Sequence, residues 1–260
     1  MSRKQVNERT QAGGKQAERP TETLHGLRAV RAVWAKRPAD VVRLGHAAAL
    51  ERELAELLGA VRARGVPVKA LGEGELSRIA GNHEGLVAEV KERPWLTPSE
   101  LADRLVDGRG AALALDRVRN PYNVGSLLRS AAFFGLDGAL VGAAAPHPAL
   151  APDAVRVAEG GAEELALCRT TDLAATLAKL RARGVHVLGA ESDAAESALE
   201  REFPRPVVLV VGHERDGLSE RVRAACEGMV TLPGRPGGSL VGSLNVAITG
   251  GILCARLRRR

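Results

Sequence analysis

Three short stretches carry the polar side chains best suited to chemistry, and each stands at the end of an apolar run. Residues 120–125, Asn-Pro-Tyr-Asn-Val-Gly, follow the run Ala-Ala-Leu-Ala-Leu-Asp, with Arg129 one to two helical turns further on. Residues 212–217, Gly-His-Glu-Arg-Asp-Gly, follow Pro-Val-Val-Leu-Val-Val. Ser243, Leu244 and Asn245 close a glycine-rich loop that follows Met-Val-Thr-Leu-Pro. Asparagine, serine, glutamate and arginine among glycines can hydrogen-bond a ligand and polarise a hydroxyl, while glycine lets the backbone itself come close. Taken singly, each stretch is ordinary capping and turn chemistry. Ligands of open parallel sheets bind at the carboxyl ends of the strands, so the coincidence of three such ends is the signal.

Other chemistries lack their residues. The 212–217 stretch has the glycine spacing of a phosphate-binding loop, but Leu218 and Ser219 stand where Lys and Ser or Thr would grip phosphate. No strand runs into Gly-x-Gly-x-x-Gly, and neither a nucleophile elbow nor a Cys–His pair is recognisable. Cys168, Cys226 and Cys254 lie far apart in the chain, which supports neither a disulfide framework nor a zinc knuckle. No metal is expected.

The elements that must hold these stretches read as two α/β units. Residues 1–21 form a flexible basic tail. Residues 22–91 alternate helix and strand: a helix over 27–34, a strand over 41–45, a helix over 50–65 stopped by Gly65, then strand, short helix and strand. Residues 92–110 read as a linker carrying a helix opened by Ser99. From residue 111 to 260, near-continuous apolar strands alternate with helices, the pattern of a parallel sheet covered on both faces.

The 260 residues are 45% apolar and 26% charged, with net charge +6 and a pI near 9.7. A basic balance favours a polyanionic partner, because each Lys or Arg placed on a phosphate releases counterions. Aromatic residues make up 2% of the chain, which argues against a broad base-stacking platform. Arg28, Arg31, Lys36 and Arg37 read either as phosphate contacts or as a solvated helix face. With no apolar run of spanning length and no apolar N-terminal segment, no membrane is expected and the location reads as cytoplasmic.

Residues 120–135 (NPYNVGSLLRSAAFFG), 211–220 (VGHERDGLSE) and the stretch from Leu232–Pro233 through 242–253 (GSLNVAITGGIL) resemble the three motifs of the SpoU family. Its members are S-adenosylmethionine-dependent RNA 2′-O-ribose methyltransferases of the SPOUT superfamily. HGLRAVRAVW and NHEGLVAEV in the first unit resemble the substrate-binding domain, related to a ribosomal-protein fold, that precedes the catalytic domain in many members. The resemblance implies a parallel-sheet SPOUT domain with a deep trefoil knot, working as a homodimer on rRNA or tRNA. It implies S-adenosylmethionine held by backbone at Gly212, Leu232 and Leu244, with Ser243 and Asn245 ordering the site. Arg129 is then the essential cation, which Asn123 and Glu214 are expected to position together with the ribose. An arginine side chain is ordinarily a poor base, so the resemblance leaves its proton role open. This chain has Leu232–Pro233–Gly234 where members usually have Ile-Pro-Met. The alternative is a non-catalytic RNA-binding or ribosome-associated protein of the same fold. Methylation of a small molecule would leave the basic charge and first unit without a role.

Overall fold

The structure is a computed structural model that describes residues 19–142, 150–235 and 241–258. Most of the expected tail and residues 236–240 of the glycine-rich loop lie outside the described residues. The tail reading ends too late, however. Arg19 pairs with Asp40 and donates to the Glu92 carbonyl at 2.8 Å, and Thr21 already opens a strand.

The first unit runs β1 (Thr21–His25), α1 (Leu27–Lys36), β2 (Val41–Ala47), α2 (Ala55–Ala63), β3 (Val68–Leu71), α3 (Glu73–Ile79) and β4 (Leu86–Lys91). Its sheet order is β1-β4-β2-β3, antiparallel except for the β2–β3 pair. The edge strand β1 escaped the sequence reading because Thr-Glu-Thr-Leu-His has no apolar run. Helix α2 begins later than expected: Ala48–Leu50 form a separate turn, and Leu54 tucks into the core ahead of the helix. Gly65 does end it, in the left-handed conformation at φ +75°.

The segment expected as a linker carries α4 (Pro98–Gly108), and that helix is packed. Leu101 and Leu105 are buried in one of the sheet's two apolar layers, and Leu96 N–H donates to the Leu167 carbonyl at 2.9 Å. Its opening residue is Thr97, not Ser99. Thr97 accepts from the Glu100 N–H and Glu100 accepts from the Thr97 N–H at 2.7 Å, with Pro98 in the first helical position. Thr-x-x-Glu satisfies two otherwise orphaned donors reciprocally, and Ser99 has no equivalent partner at the right spacing.

The second unit continues β5 (Ala111–Leu115), α5 (Pro121–Phe133), β6 (Gly138–Gly142), α6 (Pro152–Val157), α7 (Gly161–Glu164), β7 (Ala166–Thr170), α8 (Leu173–Ala182), β8 (His186–Ala190), β9 (Glu196–Ser197), β10 (Val207–Val211), α9 (Glu220–Ala225), β11 (Gly228–Thr231) and α10 (Val246–Leu257). The sheet order is β7-β6-β5-β10-β8-β11-β9, with every pairing parallel. Alternate residues feed opposite layers, as the two-residue period of a strand requires. Leu113, Leu115, Leu209 and Val211 pack with α5 and α10, while Ala112, Ala114, Val208 and Val210 pack with α4, α8 and α9. The chain builds outward through β5, β6 and β7, then returns to the other side, so the strand order reverses between β5 and β10.

The cations on the basic face of α1 are each paired with a carboxylate; Arg28, Arg31 and Lys36 stay largely exposed, whereas Arg37 is half-buried. Arg28 pairs with Glu159, Lys36 with Glu164 at 2.9 Å, and Arg37 with Glu163 at 2.9 Å, all across the junction between the units. Arg31 faces Glu53 at 3.8 Å. Arg93 also reaches Glu163, at 3.1 Å, and donates to the Ala162 carbonyl. Burial lowers the Arg37 pKa, but the hydrogen bond and charge of Glu163, together with Glu22 and Asp40, outweigh it and hold the guanidinium above its ordinary range. Removing one member of such a buried pair typically costs about 3–5 kcal/mol, against roughly 0–1 for an exposed pair. The Arg37–Glu163–Arg93 group therefore docks the two units, and Lys36–Glu164 adds little.

Candidate functional site

Where β5 ends, Asn120 turns the chain into α5. Its Oδ1 accepts the Tyr122 N–H at 2.9 Å, and Pro121 occupies the first helical position. That start presents Asn123 from the first turn. Asn123 Nδ2 donates to Glu214 Oε1 at 2.7 Å, and Asn123 Oδ1 accepts from Asn245 Nδ2 at 3.3 Å. Asn245 Oδ1 in turn accepts the Ala247 N–H at 2.8 Å and caps α10. Chemistry sets the direction of this chain. An ionised carboxylate only accepts, so Asn123 must turn its NH₂ to Glu214 and offer its oxygen to Asn245. Asn245 is left with an oxygen for the helix. Three sequence-distant stretches thus close on one another through three side chains.

The 212–217 loop is rigid for identifiable reasons. His213 and Gly217 exchange both backbone hydrogen bonds at 3.0 Å, and Gly217 sits at φ +65°. A side-chain carbon on Gly212 would fall 2.4 Å from the Gly217 carbonyl carbon, so only glycine fits there. Behind the loop, buried Asp116 accepts the Ser219 N–H at 2.6 Å, and Arg117 donates to the Gly217 carbonyl at 3.1 Å. Sequence reading had passed over both Asp116 and Arg117. The left-handed φ of Arg117, +59°, has no sequence signature.

The two helices of the site meet closely. Gly250 on α10 lies against Leu127 of α5, where an added carbon would stand 2.1 Å from Leu127 Cδ2. Ser243 and Leu244 are exposed beside Asn245, and Leu232 is half-buried against the core beyond β11. Leu232 and Gly212 follow strands separated by β8, so they flank that strand's end.

Arg129 is not joined to this group. Its Nη2 meets Glu159 Oε2 at 2.9 Å, the same oxygen that holds Arg28. The expectation that Asn123 and Glu214 position Arg129 is corrected: those two bind each other, and α5 carries Arg129 toward the junction between the units. Sequence reasoning does not single out Glu159, which sits among no polar motif at a strand end.

A cavity of about 880 Å³ opens at the ends of β5, β6 and β7, bordered by Arg117, Arg119 and Arg221, but by none of the expected site residues. Arg119, Arg215 and Arg235, one on each strand-end loop, are exposed, and among the described residues none has a carboxylate partner. The described residues hold no cluster of His, Cys, Asp and Glu suited to a metal ion, and no helix long and apolar enough to cross a membrane. The three thiols are free. Burial pushes Cys168 up to about 11 and Cys226 and Cys254 to about 12, which removes them as nucleophiles.

Residues 110–255 match the SpoU rRNA methylase family. A 23S rRNA (guanosine-2′-O-)-methyltransferase of Pseudomonas putida is 33% identical, over 89% of this chain and 93% of its own length. Among solved structures, a TrmH-family protein from Porphyromonas gingivalis superposes with a TM-score of 0.71 at 28% identity, over 92% of this chain and 89% of its own. The SpoU methyltransferase AviRb of Streptomyces viridochromogenes, solved with AdoMet, shares the fold with a TM-score of 0.75 at 23% identity, over 91% and 89%.

Proposed function

This chain belongs to the SpoU rRNA methylase family, and from that premise we propose that it transfers a methyl group from S-adenosylmethionine to a ribose 2′-hydroxyl of rRNA or tRNA. The observation that carries the reading is the hydrogen-bonded chain Glu214–Asn123–Asn245, which ties together the three loops at the strand ends. The cofactor supplies an already activated methyl on its sulfonium, so the protein's task is alignment and removal of the hydroxyl proton.

The residues present fit that cofactor. Only backbone is offered at Gly212, and Leu232 and Leu244 add apolar side chains without charge, which suits a ligand gripped by main-chain groups beside an apolar slot. Asn123 and Asn245 orient the ribose, Glu214 fixes their polarity, and Ser243 lines the same entrance. Arg129 brings positive charge to the hydroxyl oxygen and lowers the cost of its losing a proton. The unpaired arginines on the three loops hold the flanking phosphates.

The finer parts of the reading follow from the family. The strand-end loop before α10 threads an earlier loop as a trefoil knot. Residues 22–91 select the RNA and the region from 111 onward carries the chemistry. The enzyme works as a homodimer, for which the exposed pair Ile248 and Ile252, one turn apart on α10, offers an apolar face. Its test is methyl transfer to RNA lacking modifications, with Asn123→Ala and Asn245→Ala beside wild type. Label that appears in RNA with wild type and collapses in both variants supports the assignment. Wild-type protein that binds RNA but neither binds nor uses S-adenosylmethionine points to the non-catalytic alternative.

A further inference from the structure

Glu159 is placed where no turn-forming glutamate is needed. It stands at φ +48°, in the left-handed region that glycine fills without strain, immediately before Gly160 and Gly161. One of its oxygens is shared by two guanidinium groups: Arg129 from α5, at 2.9 Å, and Arg28 from α1 of the first unit. Its side chain is 29% exposed, whereas those of Arg129 and Arg28 are 53% and 67% exposed, so the carboxylate is the sheltered partner and the cations are the reachable ones. Two positive charges on one negative leave a net positive centre with unused N–H donors, at the junction of the units and on the helix that also carries Asn123.

We propose that Glu159 is the positioning residue of Arg129, and that through Arg28 it couples this arginine to the first unit. The inference rests on the function reading for what Arg129 does; the pairing itself does not depend on it. Glu159 restrains the Arg129 guanidinium at the junction between the units. An RNA phosphate that binds at the junction meets Arg28 and Arg129 together. Without the carboxylate, Arg129 is free to swing and to bind phosphate elsewhere. Removing Glu159 therefore strengthens RNA binding while weakening transfer, a split that a purely structural residue would not produce.

The experiment compares Glu159→Gln and Glu159→Gly with wild type on unmodified RNA, measuring kcat, KM for RNA, RNA affinity across a salt series, cofactor Kd and Tm. The glycine variant suits the left-handed backbone, so its Tm should not fall even if that of the glutamine variant does. Both should lose about five- to tenfold in kcat with cofactor Kd unchanged. RNA affinity near 0.1 M salt should rise about fivefold, with a salt slope steeper by nearly one, the effect of one more uncompensated cation. Glu164→Gln removes a carboxylate of the same face that pairs with Lys36 instead, and should leave kcat within about twofold. The proposal is overturned if kcat in both Glu159 variants stays within twofold of wild type, or falls equally in Glu164→Gln, or falls only in step with a lower Tm. If wild type transfers no methyl group, the function reading fails; RNA affinity then decides the coupling, a steeper salt slope supporting it and an unchanged slope overturning it.

Discussion

Replacing Gly250 by alanine, with Gly251→Ala as its neighbour and control, tests how closely α10 and α5 must meet to bring Asn245 to Asn123. Both glycines lie in the same turn of α10, so the gain in helix propensity, about 0.8–1.0 kcal/mol, is common to both and cancels in the comparison. What remains is space. At Gly250 the new methyl would sit 2.1 Å from Leu127 Cδ2, and Leu127 is fully buried, so its side chain cannot turn aside into solvent. At Gly251 the nearest atom is Ser130 Oγ at 3.3 Å, which a small adjustment accommodates. Overpacking of this kind costs about 1–3 kcal/mol, so Gly250→Ala should be less stable than Gly251→Ala by that amount. At about 2–4 °C per kcal/mol for a chain of this size, a 2 kcal/mol difference lowers Tm by about 4–8 °C. Because the strain separates the helices that carry the two asparagines, methyl transfer should fall by up to about 100-fold in Gly250→Ala, while Gly251→Ala stays near wild type. Thermal melts with transfer assays at 25 °C read both. Equal Tm and equal activity in the two variants would refute the close-contact argument.

Three further expectations follow from individual contacts. In a double-mutant cycle of Asn123→Ala and Glu214→Ala, the 2.7 Å bond to a carboxylate predicts a coupling of about 1–2 kcal/mol in kcat/KM, and strict additivity would contradict it. The Asp172 carboxyl is held below its ordinary value by the Ala175 backbone hydrogen bond first and by Arg221 next. Its stabilisation is present above the ordinary carboxylate range and is lost as pH falls through the lowered pKa. The Tm gap between Asp172→Ala and wild type should therefore narrow on acidification below about pH 4, and a constant gap would be inconsistent. With Cys226 pushed up to about 12, alkylation by iodoacetamide at pH 8 should be about 1,000-fold slower than for an open thiol and become fast in denaturant. Rapid modification of the folded protein would speak against the burial seen at that site.

The sequence was most readable where burial is complete. Strands β5 and β10 are buried along their whole length, so Ala-Ala-Leu-Ala-Leu and Val-Val-Leu-Val-Val announce a two-faced parallel sheet without structural help. Strand β7 carries Arg169 at a sheet edge, α6 and α7 are short pieces of six and four residues separated by glycine, and β9 has two residues; none builds a period long enough to read. Within the site, Asn123, Glu214 and Asn245 were each visible as polar residues at strand ends, and Asn245 also as a helix cap. Their bonding to one another depends on tertiary closure, so it was not visible. The same holds for α1, whose Arg28, Lys36 and Arg37 look like any solvated basic face until Glu159, Glu163 and Glu164, more than 120 residues later, come to meet them. Pairing at that sequence distance leaves no local trace.

The central claim, methylation of a ribose 2′-hydroxyl, is tested most directly by alkaline digestion of RNA labelled by this protein from methyl-radiolabelled S-adenosylmethionine. Alkali cleaves RNA through attack of the free 2′-hydroxyl on the adjacent phosphate, so a 2′-O-methyl group protects its own linkage. The account predicts label in alkali-resistant dinucleotides, absent when Asn123→Ala or Asn245→Ala replaces wild type. Label recovered in mononucleotides would place the methyl group on a base and contradict it.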